Sequence, residues 1–101
     1  MIVNEAKYID WITKNGVGQN DVVSSSISSY VSYLNSVSRI INQDISEFTL
    51  NSESSIDVIV NKIQGKRSQK TINNYKSAMR QYVRMVIDQT KQKRTFGNTV
   101  L

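Results

Sequence analysis

Ten of the thirteen lysines and arginines of this 101-residue chain lie in its last forty positions, and several recur at helical spacing. Arg80 and Arg84 stand four residues apart, with Asn73 and Ser77 before them and Lys91 beyond. On a helix turning about 100° per residue, these five fall within about 60° of one another. Lys70 lies close to the same arc, as does Asp88, and Lys76 stands at the edge of the apolar stripe beside it. Arginine suits such a face because its planar fork offers two hydrogen bonds to a guanine edge or a phosphate. Asparagine and serine can hold base edges or phosphates without adding charge.

A second polar face carries Ser28, Ser32, Asn35, Ser36 and Arg39 at the same spacing. Eight serines between 24 and 38 are a heavy load of a mediocre helix former. Small hydroxyl side chains let a phosphate backbone come close; a merely solvated face is the plain alternative. Lys66 and Arg67 sit in the turn that leads to the arginine-bearing segment. There, free N–H groups and the helix dipole would favour a phosphate. The chemistry these residues suggest is binding of a polyanion, above all duplex DNA.

Other chemistries lack their residues. There is no cysteine and no histidine, so disulfides, thiolate chemistry, the usual zinc ligand sets and imidazole triads are excluded. Tyr33 would act as a nucleophile only within an arginine and histidine constellation. Asp44 with Glu47, and Glu53 with Asp57, read as capping and surface charges. Gly16-Val17-Gly18 lacks the strand that a phosphate-binding loop needs. We therefore expect no catalytic residue, no metal, no cofactor and no small-molecule substrate. No apolar run is long enough to span a membrane. Met1-Ile2-Val3-Asn4-Glu5 does not open like a signal peptide, and a cytoplasmic location is the expectation.

Charge is divided along the chain. Residues 1–61 carry three cations against seven acids, a net −4, whereas residues 62–101 carry ten cations against Asp88 alone, a net +9. The imbalance points the C-terminal half toward a polyanion.

These residues must be held by helices. With no proline, the four glycines are the natural breaks: Gly16 and Gly18, Gly65, and Gly97. The spacing predicts helices over 5–14 (Tyr8, Ile9, Trp11, Ile12) and over 25–41 (Ile27, Tyr30, Val31, Leu34, Val37, Ile41). It predicts two more over 54–64 (Ile56, Ile59, Val60, Ile63) and 69–91 (Ile72, Tyr75, Met79, Tyr82, Val83, Val86, Ile87). Ser54 with Asp57 offers a capping box for the third, and Ser68 or Thr71 a cap for the fourth. Trp11 and the tyrosines at 8, 30, 75 and 82 are expected in the core. Ile45, Phe48 and Leu50 are expected to plug it between the second and third helices.

The second and fourth segments repeat at an offset of 45 residues: Ser26-Ile27-Ser28-Ser29-Tyr30 over Thr71-Ile72-Asn73-Asn74-Tyr75, and Arg39-Ile40-Ile41 over Arg84-Met85-Val86. The expected fold is all-α: a compact four-helix bundle built of two helix–Gly turn–helix halves over 1–91. Residues 92–101, with Lys93 and Arg94, are expected to form a basic tail or linker.

Tyr8-Ile9-Asp10-Trp11-Ile12, a glycine turn and Ser26 to Leu34 resemble the first half of the core-binding domain of tyrosine recombinases and phage integrases. Lys66-Arg67-Ser68-Gln69-Lys70-Thr71-Ile72 through Arg80 resembles its second half, and the likeness covers roughly residues 5–88. Ser28 to Ser38 is also similar to the N-terminal bundle of restriction-type endonucleases. The resemblance implies a SAM-like helical bundle lying on one face of duplex DNA, its second and fourth helices approaching the major groove. Within these 101 residues we expect no catalytic arginine and histidine set and no nuclease ligands. The resemblance thus implies a non-catalytic binding module whose parent chain is a recombinase or nuclease, or a stand-alone relative. The alternative is a protein-interaction module of a phage or mobile element that acts on host machinery or self-associates.

Overall fold

Helical periodicity prevails along the chain. The computed structural model describes residues 1–15 and 24–100, with side chains for 1–15 and 27–91. They form α1 (Glu5–Asn15), α2 (Ser24–Ile41), α3 (Glu53–Ile63) and α4 (Gln69–Val100), an all-α four-helix bundle. No strand forms among the described residues; two isolated bridges join Ile2 to Ile45 and Gln64 to Arg67. The turn expected around Gly16 and Gly18 lies outside them.

The core gathers one face of every helix. Tyr8 and Ile12 come from α1, Leu34 and Val37 from α2, and Ile56, Ile59 and Ile63 from α3. α4 supplies the largest share, from Ile72 to Val86, and packs on all three other helices. Its 32 residues, at about 1.5 Å each, match the 50 Å long axis of the molecule. Val86 is its last buried residue among those described, so the helix runs on past the core. Its backbone stays helical through Gly97, where a break was expected, and through most of the expected tail; no proline enforces a stop.

The two expected repeats start in register, since Ser24 and Gln69 are 45 residues apart. Burial follows the same offset: Leu34 matches Met79 and Val37 matches Tyr82 inside, while Arg39 matches Arg84 outside. The buried face of α4 is nevertheless turned from the expected stripe. Ala78 and Met85 lie inside, and Ile87 is exposed. Ala78 is fully buried, and the Tyr8 hydroxyl of α1 donates to its carbonyl oxygen at 3.0 Å.

The connection between α2 and α3 is tightly hydrogen-bonded. Asn42 ends α2 in the left-handed region (φ 56°), and the Gln43 N–H reaches back to the Ser38 carbonyl at 3.2 Å. Ile45 is fully buried and its backbone pairs with the N-terminal segment: Val3 N–H donates to the Ile45 carbonyl at 2.8 Å, and Ile45 N–H to that of Met1 at 2.9 Å. Leu50 is buried as expected, but Phe48 is 86% exposed and does not plug the core. The turn uses its two apolar anchors, Ile45 and Leu50, on the inside and so sends the residue between them outward.

The cap of α3 is also shifted. Ser52, not Ser54, is the N-cap: its Oγ accepts from Ser55 N–H at 3.2 Å, and Ser55 Oγ accepts from Ser52 N–H at 3.1 Å. Leu50, pinned in the core, brings Ser52 to the start of the helix in an extended conformation. Ser68 caps α4 as expected, accepting from the Thr71 N–H at 3.2 Å.

Trp11 and Tyr30 are half-buried, whereas Tyr8, Tyr75 and Tyr82 are buried. Tyr33 packs its ring 6.0 Å from Tyr30 and 5.9 Å from Tyr75.

Candidate nucleic-acid interface

The buried residues of α4 leave one face outward, and the expected arc occupies it. Opposite the buried stripe lie Asn73, Ser77, Arg80, Arg84 and Lys91, with Lys70 at one side. Asn73, Lys70, Arg84 and Lys91 are exposed; Ser77, Arg80 and Lys76 are half-buried. The ridge from Asn73 to Lys91 is about 27 Å long, close to eight base pairs of duplex.

Its polar members differ in how free they are. Gln69 donates to Asn73 Oδ1 at 2.9 Å, and Ser77 Oγ donates to the Asn73 carbonyl at 3.2 Å. Arg80 Nε donates to Glu53 Oε1 at 3.2 Å, an ion pair between two partly exposed side chains. Glu53 is the first residue of α3, so the N-terminus of α3 flanks the arc. Arg84, one turn further, makes no ion pair among the described residues. No pattern in the sequence marked Glu53 as the partner of Arg80, because the two meet only when α3 lies against α4.

At the head of the ridge, Gly65 adopts φ 87°, a backbone that suits glycine; a Cβ there would meet nothing within 4 Å. Lys66 N–H donates to the Ile63 carbonyl at 2.8 Å and closes the turn. Lys66 and Arg67 are both exposed, and Arg67 donates to the Lys66 carbonyl at 2.8 Å. The basic turn thus leads directly into the helix that carries the ridge.

On α2, Ser28, Ser32 and Arg39 are exposed and Asn35 is half-buried, on the side away from Leu34 and Val37. Arg39 donates to Ser36 Oγ at 3.2 Å. Its end of the helix borders a polar cleft with Met1, Asn42 and Asp44. Ser38, on the inner side, accepts from the Met1 amino group at 2.7 Å and donates to the Gln43 carbonyl at 2.6 Å. It ties the helix end to the N-terminal segment and stands apart from the outward face.

Apart from Glu53 beside Arg80 and Asp88 on α4, the acids lie off the ridge. Asp44, Glu47, Glu53 and Asp57 are all exposed along the loop and the start of α3, with no cation between Arg39 and Lys62. No group of three or more potential metal ligands forms among the described residues, and no helix there is long and apolar enough to cross a membrane. Two buried tyrosines, Tyr8 and Tyr82, are held protonated. Burial pushes the Tyr82 hydroxyl up to about 12, with the Glu47 carboxylate adding to it, and burial raises Tyr8 as well.

Compared with known proteins, the chain matches no family model, no curated protein and no solved structure.

Proposed function

We propose that this chain is a non-catalytic module that binds duplex DNA, contacting phosphates and the major groove through the outward faces of α4 and α2. The observation that carries the reading is the α4 ridge, where Lys70, Asn73, Arg84 and Lys91 are exposed on the face opposite the core. Lys66 and Arg67 extend it at the helix N-terminus, where N–H groups and dipole favour phosphate. Asn73 and Ser77 sit between the cations, as residues that read base edges or steady phosphates do. Ser28, Ser32, Asn35 and Arg39 supply a second, less charged contact. In this reading the core-binding resemblance extends to function, with a recombinase or nuclease as the parent protein.

Binding of this kind draws its affinity from counterion release and falls steeply with salt. Titration of a labelled duplex by fluorescence anisotropy at several salt concentrations tests it. The reading expects a linear fall of log affinity with log salt. An affinity indifferent to salt contradicts it.

A further inference from the structure

Phe48 is held in the open by its own turn. The Thr49 hydroxyl donates to the Asp44 carbonyl at 2.9 Å and accepts from the Ser46 N–H at 2.8 Å. Phe48 N–H donates to Ser46 Oγ at 3.2 Å, and Leu50 N–H to the Ser46 carbonyl at 2.8 Å. With Ile45 and Leu50 fully buried on either side, the backbone that presents the ring is fixed and the ring projects outward as a knob. Carboxylates flank it in sequence: Glu47, and Asp44, whose Oδ1 lies 3.5 Å from the Met1 amino group.

A matching recess lies between α1 and α4, lined by Trp11, Arg84, Ile87, Asp88 and Lys91. It is a shallow, open hollow of about 250 Å³, against which an aromatic ring can lie. Trp11 and Ile87 give it apolar walls, and the Trp11 indole is oriented by donating to Gln81 Oε1 at 3.3 Å. Arg84 and Lys91 line it as well, two cations on one face of α4 against the single acid Asp88. Phe48 does not fill the recess of its own chain, since its ring is exposed.

We infer that Phe48 of one copy docks between Trp11 and Ile87 of a second copy, with Glu47 and Asp44 beside the Arg84 and Lys91 of that copy. Charge complementarity selects the occupant: an acidic aromatic knob and a basic apolar recess are carried by the same chain. The inference goes beyond DNA binding and does not rest on it. Knob and recess are different surfaces, so each pairing leaves one of each free, and the contact propagates head to tail. One aromatic anchor covers far less than the roughly 1,200 Å² of a stable interface, so association is weak and emerges at high concentration. DNA on the ridge competes for Arg84 and Lys91.

The test uses the full chain without DNA, in sedimentation velocity from micromolar to millimolar concentration. Wild type is expected to associate progressively, less so at high salt. Phe48→Asp removes the knob and Ile87→Asp the recess; both positions are exposed, and thermal melts verify folding. Each variant alone is expected to remain monomeric. Mixed, they are expected to form a one-to-one dimer and nothing larger, because only one knob and one recess remain. A wild type that stays monomeric throughout, or a mixture that stays monomeric while wild type associates, overturns the inference.

Discussion

The Arg80 guanidinium donates through Nε to Glu53 Oε1 at 3.2 Å, joining the middle of α4 to the first residue of α3. Two arginines that look equivalent in the sequence are therefore not equivalent. Arg84 offers its full fork to a partner, while Arg80 must first release, or share, a carboxylate. The pair is exposed enough that its own contribution to stability is small. Its consequence is electrostatic: Glu53 lowers the positive field at the centre of the ridge.

Replacing Glu53 by Gln is expected to raise affinity for duplex DNA severalfold and to steepen its salt dependence. The Tm should change little. Anisotropy titrations of the two proteins at matched salt measure this; equal affinities would mean that Arg80 does not meet the DNA.

Arg84→Ala is expected to weaken DNA binding by about 1–3 kcal/mol and to reduce the salt slope by about one if it meets a phosphate. Because Arg84 is exposed and makes no ion pair among the described residues, the melting curve should be unchanged. A large loss of Tm would assign the residue to the fold instead.

Much of the architecture was legible because four amphipathic stripes, free of proline, leave few alternatives to helices. The features that were not legible depend on contacts between distant segments. Ile2 and Ile45 pair across 43 positions, and their bridge fixes which side of the 44–50 loop faces in. Phe48 was expected inside because hydropathy alone does not distinguish it from Ile45 and Leu50. The stripe of α4 turned because Ala78 and Met85 face α1 and the rest of the bundle, a requirement visible only once Tyr8 reaches the Ala78 carbonyl. At the candidate site, charge and spacing identified the outward ridge, but Glu53 and the Trp11 recess arise from helix packing.

The turn gives a direct contrast in stability. Ile45→Ala should cost about 2–5 kcal/mol, since it empties a fully buried position. Phe48→Ala should stay within about 0.5 kcal/mol of wild type. Urea unfolding of both variants checks the pair, and similar losses would place Phe48 in the core.

The capping assignment is checked in the same way. Ser52→Ala should cost about 1 kcal/mol through loss of the reciprocal bonds with Ser55. Ser54→Ala should be near neutral. The reverse order would move the start of α3.

The Tyr82 phenol sets an alkaline limit. Tyr82 donates to the Val3 carbonyl at 2.7 Å, and its hydroxyl ionises near 12 in the folded chain against about 10 when unfolded. Folding thus favours the protonated form. That contribution is fully present below about pH 10 and is lost as pH rises through about 12. Tm followed from neutral to alkaline pH should hold steady and then fall across this window. Tyr82→Phe, less stable at neutral pH, should show a shallower fall; a profile parallel to wild type would contradict the assignment.

The most direct test of the DNA-binding reading is amide chemical-shift mapping of the labelled chain on titration with a duplex at low salt. The account predicts perturbations concentrated at Lys66, Arg67, Asn73, Ser77, Arg80, Arg84 and Lys91, with a smaller set at Ser28, Ser32 and Arg39. Perturbations confined to the acidic stretch from Asp44 to Asp57, or none with any duplex, would contradict it.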